Sequence, residues 1–278
     1  MDGLTLLIPS SVVREAEDKR EATRKLGTVA RAAIIFRVDR ITVFPDPGFE
    51  GNYDDGFVET VLRYAATPPY LRKEVWGTRD ELAYAGVLPP LRVRSQTGSG
   101  SDGSGSLRQG IVTEVGPDGR VRVNCGMQHP ISLPVPPSME VGKGERVTIR
   151  VSSREPVRAK LVADAPPGFA VERATIDDSL TRPDAGVRIA ASRHGEVLTV
   201  DLLDDLVGRT ADDGLTVAFG APGRGLPEIL DREPGAETID DEPNTRFDLW
   251  LNTVPNQGSE VVRTEEALFA TLAPLTLE

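Results

Sequence analysis

The sequence predicts an α/β protein in which a small β-barrel is inserted between two parts of a parallel sheet. Three observations indicate this class. Strand patterns alternate with amphipathic helix patterns in residues 1–92 and again in residues 164–278, which is typical of a parallel sheet with crossover helices. Residues 108–163 contain strand patterns alone. Residues 93–107 are rich in Gly and Ser, a composition typical of a flexible linker between folding units.

The first part of the chain is predicted to alternate strands and helices. Ser10 and Ser11 precede the first helix, and their hydroxyl groups are suited to cap it. Apolar residues recur at helical spacing in both helices and form short runs in both strands. The expected elements are a strand at residues 4–8, a helix at 14–36, a strand at 41–44 and a helix at 56–66.

The middle segment, residues 108–163, is predicted to fold as a small OB-like barrel of short strands. Strict alternation directs valine and isoleucine inward and four arginines outward. We predict that these arginines bind RNA, although they also fit a purely solubilising role. Because aromatic residues are scarce here, any RNA contact is expected to involve the backbone or the shape of the RNA. The four residues are Arg120, Arg122, Arg146 and Arg150.

The charge of the chain is distributed unevenly. The formal net charge is −11, yet residues 107–162 carry 9 basic and 5 acidic side chains, whereas residues 163–278 carry 9 and 23. A positive segment within an acidic protein is the pattern expected of a phosphate-contacting surface. The acidic, lysine-poor composition also indicates a high-salt cytoplasm, where a strongly charged surface maintains solubility.

Several classes of protein are disfavoured by composition. No apolar run approaches the roughly 20 residues that cross a bilayer, and the first residues lack a signal-peptide pattern, so the sequence favours a cytoplasmic protein. Cys125, His129 and His194 are too few for a structural zinc site. The glycine spacing in residues 219–225 matches neither a P-loop nor a dinucleotide fingerprint, so a nucleoside triphosphate or NAD is not expected.

The last part of the chain contains three strand patterns, each followed by a polar or glycine-rich loop. If these strands are parallel neighbours, their loops meet at one edge of the sheet and form one pocket. A final helix is predicted at residues 261–272, with Ser259 as a suitable cap. The strands are expected at residues 187–190, 215–219 and 247–251, and the loops at 191–195, 220–225 and 252–259.

The third loop and the helix after it, NTVPNQGSEVVRTEEAL, resemble the last motif of the SPOUT, or α/β-knot, methyltransferases. The similarity is to the archaeal and eukaryotic branch that carries an inserted β domain, and residues 192–195 and 219–223 are similar to its first two loops. The resemblance implies a parallel sheet with a C-terminal deep trefoil knot and S-adenosyl-L-methionine as methyl donor, with S-adenosyl-L-homocysteine as product. It also implies an RNA substrate, either rRNA or tRNA, and a homodimer.

The resemblance places cofactor contacts in the three loops and at the start of the last helix. Gly258 permits positive φ, and Gly258→Val is expected to abolish cofactor binding without unfolding the chain. No metal is required, because the sulfonium group already makes the methyl carbon electrophilic. The cofactor-binding residues implied are Ser192, Gly195, Phe219, Gly220, Ala221, Gly223, Asn252, Thr253, Val254, Pro255, Gly258 and Thr264.

Three charged residues are candidates for catalysis. Arg193 and Arg263 are suited to orient phosphate or carbonyl groups of a substrate, and Glu265 is suited to accept a proton. A structural alternative stays open, in which Glu265 complements the helix dipole and pairs with Arg263.

Two other functions stay open at this stage. One is a non-catalytic RNA-binding or scaffold protein that retains the cofactor pocket, and the other is a methyltransferase that acts on a protein side chain.

Overall fold

A computed structural model describes residues 3–48, 53, 55–93, 106–154, 156–164, 168–230 and 246–277. The chain divides into two compact units. The first comprises residues 1–66, 80–91 and 169–278, and the second comprises residues 67–79 and 92–168. Most of the predicted linker, residues 94–105, lies outside the described residues.

Strands and helices alternate in the first and last parts of the chain, and strands alone fill the middle. The described strands are β1 Leu4–Pro9, β2 Arg40–Phe44, β3 Ser106–Val115, β4 Arg120–Asn124, β5 Ile131–Pro134, β6 Arg146–Arg154, β7 Val157–Val162, β8 Ala170–Arg173, β9 Val187–Val197, β10 Leu215–Ala218 and β11 Leu249–Asn252. The described α-helices are α1 Lys19–Ile35, α2 Asp55–Ala66, α3 Pro69–Trp76, α4 Ile176–Leu180, α5 Val200–Asp213, α6 Leu226–Ile229 and α7 Thr264–Leu275.

A six-stranded sheet with the order β11-β9-β10-β1-β2-β8 forms the first unit, and its ladders are parallel. Its central strands are mostly apolar and are buried along their length, because helices cover a parallel sheet on both faces. The parallel α/β architecture predicted from the sequence is therefore confirmed. The strands β10 and β11 end at the same edge, and their loops meet there beside residues 191–195 of β9, which have no partner on β11.

Two helix starts differ from the sequence prediction. Helix α1 begins at Lys19, not near residue 14, because the carboxylate of Asp18 accepts a hydrogen bond from the N–H of Glu21 at 2.7 Å and caps it. Ser10 and Ser11 therefore do not cap this helix. Helix α7 begins at Thr264, not at residue 261, and the Glu266 carboxylate accepts a hydrogen bond from the N–H of Arg263 at 2.9 Å.

The second unit contains a nearly closed, barrel-like antiparallel sheet with the order β5-β4-β3-β6-β7. Apolar side chains such as Val121, Val123 and Ile149 are buried in its core. The predicted alternation is correct, because Arg122 and Arg146 are exposed and their valine neighbours are buried. Helix α3 also belongs to this unit, where it begins immediately after a proline that ends the preceding helical pattern.

Candidate functional site

A cavity of about 300 Å³ lies at the edge of the first unit where β10 and β11 end, next to residues 191–194 of β9. Three loops and the first two turns of α7 form its walls. Its lining comprises residues 191–194, 219–221, 223–228, 251–254, 257, 260–262, 264, 267 and 271. The structure therefore brings together the three loops that the sequence places after neighbouring parallel strands.

The first loop is an excursion within β9 and not the end of that strand. Ala190 pairs with Trp250, and pairing with β11 resumes at Glu196 and Leu251, so five residues of β9 have no partner on β11. The prediction that this strand ends at residue 190 is therefore wrong, because pairing with β11 carries it on to Val197. A Cβ atom at Gly195 would lie 2.6 Å from the Leu251 nitrogen, so the two backbones approach too closely for a side chain.

The second loop is tightly folded around Gly220. Ala221 and Arg224 exchange backbone hydrogen bonds of 2.9 and 3.0 Å. A Cβ atom at Gly220 would lie 2.9 Å from the Leu226 nitrogen and would meet backbone atoms on the opposite side of the turn. The Thr264 hydroxyl donates to the Gly220 carbonyl oxygen at 2.8 Å, which attaches the start of α7 to this loop.

The third loop is connected to the first through Asn252. Its side-chain nitrogen donates to the Arg193 carbonyl oxygen at 2.8 Å, and its side-chain oxygen accepts from the Val254 N–H at 3.0 Å. The Asn252 side chain is buried, and both of its hydrogen bonds are at least partly buried. The hydroxyl groups of Thr253 and Thr271 lie 2.9 Å apart and join this loop to α7.

The cavity carries titratable side chains of both signs. Arg193, His194 and Arg224 line it together with Glu228 and Glu260. The Nε of Arg193 donates to the Nε2 of His194 at 3.1 Å, a contact that requires a lone pair on that imidazole nitrogen. Both side chains are exposed at the mouth of the cavity and are available to a substrate.

The buried carboxylate of Asp46, which the sequence analysis did not identify, pairs with a residue of the second loop. The side chain of Asp46 is fully buried and pairs with the Nε of Arg224 at 3.1 Å. The available signal was a carboxylate in Pro-Asp-Pro-Gly directly after a buried strand. Because the partner lies 178 residues away in sequence, that signal does not identify the ion pair.

The sequence-predicted cofactor residues fall into two groups. Gly195, Pro255 and Gly258 do not line the cavity, although Gly195 shapes the β9 excursion beside it. The φ angle of Gly258 is not positive, and a Cβ atom there would meet open space, so this position does not use the positive φ that glycine permits. The residues that do line the cavity are Ser192, Phe219, Gly220, Ala221, Gly223, Asn252, Thr253, Val254 and Thr264.

The structure does not bring the three charged candidates for catalysis together in the cavity. Arg193 lines the cavity, whereas Arg263 and Glu265 do not. The Nε of Arg263 pairs with Glu15 at 3.1 Å, and Glu15 also pairs with Lys25. Glu265 lies in the first turn of α7 and outside the cavity lining. Burial raises the pKa of its carboxyl group.

The four predicted RNA-binding arginines lie on the barrel-like sheet of the second unit. Arg120 donates from Nε to the Ser132 hydroxyl at 3.0 Å. Arg122 lies 3.7 Å from a carboxylate oxygen of Glu114. Arg146 contacts the side-chain oxygen of Gln109, and Arg150 pairs with Asp164, so each of the four has a partner within the sheet or beside it.

The described residues contain neither a candidate metal site nor a candidate membrane span. No group of three or more His, Cys, Asp or Glu side chains in this part of the chain is arranged to hold a metal ion. None of its helices is both long enough and apolar enough to span a bilayer.

Comparison with known proteins identifies relatives of the whole chain. A family described as "Putative RNA methyltransferase" matches residues 3–275. An uncharacterised protein of Haloarcula marismortui is 70% identical over 277 residues, covering 98% of both chains. A 28S rRNA (uridine-N(3))-methyltransferase of Homo sapiens is 29% identical over 313 residues, covering 98% of this chain and 77% of the human protein. The organism of the first relative, Haloarcula marismortui, fits the high-salt habitat that the composition indicates.

Proposed function

The chain belongs to this family of RNA methyltransferases, and from that premise we propose that it transfers a methyl group from S-adenosyl-L-methionine to N3 of a uridine in ribosomal RNA. The observation that carries the proposal is the convergence of the β9, β10 and β11 loops on one cavity. The nucleotide is suggested by the human relative, whose name specifies uridine N3.

The residues of the cavity fit an adenosyl group. Leu226, Leu251 and Val262 give it an apolar wall, and Asn252 and Thr264 place polar atoms at its edge. Small-molecule sites of about 300 Å³ or more typically combine an apolar lining with a few fixed polar groups. The tight turn at Gly220 leaves backbone atoms next to the cavity with no side chain between them and a ligand.

The proposed chemistry divides between the cofactor and the chain. The sulfonium of bound S-adenosyl-L-methionine supplies an electrophilic methyl group, so no metal is needed. The chain must hold the uracil ring with N3 towards the cavity and accept the N3 proton. Glu260 and His194 are the cavity side chains suited to that proton, and Arg193 is suited to orient a phosphate or carbonyl oxygen of the RNA.

We also propose that the first unit is an α/β-knot domain of the SPOUT class. β11 lies at the sheet edge beside β9, yet α7, which follows it, bonds through Thr264 to the loop after β10, beyond β9. The residues after β11 therefore return to the β10 loop beyond β9, which supports the proposal of a knotted tail. In this proposal residues 1–92 and 164–278 form the knot domain, 93–107 the linker and 108–163 an OB-like insertion. The homodimer stays a prediction, to be checked by sedimentation.

Calorimetry with S-adenosyl-L-methionine and S-adenosyl-L-homocysteine tests the cofactor. Tritium transfer from labelled S-adenosyl-L-methionine to total RNA, followed by nucleoside analysis, tests the substrate. We expect binding of both compounds and label in 3-methyluridine. Label in protein would contradict the RNA substrate. Cofactor binding with no transfer to RNA would favour a scaffold protein instead.

A further inference from the structure

A second concave surface lies on the barrel-like sheet of the second unit. It follows the seam between β5 and β7, the two strands at the ends of the sheet order, and encloses about 800 Å³. We call it the seam groove. Its lining comprises Arg120, Ile131, Ser132, Leu133, Pro134, Arg150, Ser152, Val157, Arg158, Ala159 and Lys160.

The charged side chains that line the seam groove are all basic. Arg158 and Lys160 are two residues apart on β7, so they point to the same face about 7 Å from each other. The side chain of Leu161, the next residue along, is buried in the core. The pleat of the strand therefore directs both cations out of the barrel and into the groove, together with Arg120 and Arg150.

Two of these cations are placed directly opposite one another. Arg150 on β6 and Lys160 on β7 are register partners in the antiparallel ladder. Like charges at directly opposed positions destabilise a sheet. Asp164 pairs with Arg150 and offsets part of this repulsion. The remaining positive charge is expected where a sheet receives an anionic ligand.

The four cations differ in the hydrogen bonds and ion pairs that their side chains form. The Arg120 guanidinium is fixed across β5 by hydrogen bonds from Nε to the Ser132 hydroxyl at 3.0 Å and from Nη2 to the Ser132 carbonyl oxygen at 2.9 Å. Arg150 is held by Asp164. Within the described residues, neither Arg158 nor Lys160 forms an ion pair with a carboxylate. Two fixed and two available cations therefore face one groove.

We propose that the seam groove binds the sugar–phosphate backbone of the RNA substrate, an inference that rests on the proposed function. The groove lining contains no aromatic side chain on which a base could stack, so recognition falls to phosphates. Of the four arginines predicted to bind RNA, Arg120 and Arg150 contribute to this surface. Arg122 and Arg146 do not line the groove.

The test measures binding of the full chain to a fluorescein-labelled single-stranded RNA by anisotropy over a range of salt concentrations. The variant is Arg158→Ala with Lys160→Ala. The matched control is Lys73→Ala with Lys143→Ala, which removes the same charge from exposed positions of the second unit outside the groove. Because each phosphate contact contributes about −0.7 to the slope of log K against log salt, we expect the groove variant to reduce the slope by about 1.4. We also expect about a tenfold loss of affinity at low salt, and little change in the control.

The outcomes separate the seam groove from the cofactor cavity. Equal losses in the variant and the control would mean a general effect of charge and would overturn the proposal. Competition by poly-glutamate as effective as that by unlabelled RNA would also overturn it, in favour of an acidic protein partner. Calorimetry with S-adenosyl-L-homocysteine is run on the same proteins, and we expect unchanged affinity. It is possible to separate the two proposals, because wild type, variant and control are all measured with both ligands. If none of the three proteins binds S-adenosyl-L-homocysteine, but the groove variant alone loses affinity for RNA, the proposed cofactor is wrong and the seam-groove proposal is supported.

Discussion

The fully buried carboxylate of Asp46 accepts a hydrogen bond from the Nε of Arg224 at 3.1 Å. Asp46 follows β2 and Arg224 follows β10, so this ion pair connects two loops at the same edge of the sheet. The hydroxyl of Ser11 donates to the same carboxylate at 2.6 Å, and the Ser10 hydroxyl accepts from the Asp46 N–H at 3.0 Å. The loop that lines the cavity is thereby held by a satisfied buried charge.

Asp46→Asn is expected to destabilise the chain and loosen the cavity. The amide retains the shape of the carboxylate but leaves the Arg224 guanidinium without its buried counter-charge, which costs about 3 kcal/mol. We expect a lower midpoint in urea unfolding. We also expect about tenfold weaker binding of S-adenosyl-L-homocysteine by calorimetry, because the β10 loop is no longer held.

Asp205→Asn is the control for this substitution. Asp205 pairs with Arg209 on α5 at 3.6 Å, and both side chains are largely exposed. Exposed pairs contribute about 0–1 kcal/mol, so this variant should keep the urea midpoint of the wild type. The proposed role of Asp46 would be contradicted if both variants unfolded at the wild-type midpoint.

Asn252→Asp is expected to weaken the connection between the first and third loops. A carboxylate can still accept from the Val254 N–H, but it cannot donate to the Arg193 carbonyl oxygen and places two acceptors together. Loss of such a buried hydrogen bond costs about 1–3 kcal/mol. Calorimetry should show reduced cofactor affinity. Asn256→Asp, at an exposed position of the same loop, should bind the cofactor as the wild type does, and equal losses in both variants would argue against the bridge.

Much of the parallel sheet could be predicted from the sequence because its central strands are apolar on both faces. The strands β1, β2 and β10 lie within one residue of their predicted ends. The end of β9 and the start of the last helix depend instead on contacts in the folded chain. β9 continues past residue 190 because β11 pairs with it again at Glu196, and no local pattern encodes that ladder. The last helix begins at Thr264 because Glu266 caps it, although apolar residues at 261 and 262 continue the helical period.

The sequence could predict that the loops of the site lie close together, but it could not predict which side chains contact one another. Parallel neighbours place their following loops at one edge, so the convergence follows from strand order. The side chains within it depend on distant partners. The ion pair of Asp46 with Arg224 spans 178 residues. Glu265, the second residue of α7, is buried outside the cavity lining, which sequence spacing cannot predict.

Gly220→Ala is expected to reduce cofactor affinity by at least about tenfold, or 1.4 kcal/mol. The added methyl group would meet backbone atoms of residues 224–226 at 2.9–3.0 Å, so the second loop must move. The comparison is with Gly258→Ala, where a Cβ atom meets nothing within 4 Å and φ is not positive. Calorimetry with S-adenosyl-L-homocysteine should show wild-type affinity for the Gly258 variant, and a loss there equal to that at Gly220 would contradict this description of the cavity.

Glu265→Gln is expected to stabilise the chain without abolishing methyl transfer. Burial raises the pKa of the Glu265 carboxyl, a rise to which Glu15 adds and which Lys25 and Arg263 oppose. The folded chain therefore holds this proton more tightly than the unfolded chain, so the free energy of unfolding falls as pH rises through the raised pKa. The neutral glutamine avoids that loss, and urea midpoints should exceed those of the wild type at about pH 7 but converge with them in acid. Glu266→Gln, which retains the acceptor for the Arg263 N–H, is the control, and an equal rise in its urea midpoint would contradict the role given to the burial of Glu265. Because Glu265 lies outside the cavity lining, tritium transfer to RNA should stay within about threefold of the wild type, whereas its complete loss would identify Glu265 as the proton acceptor after all.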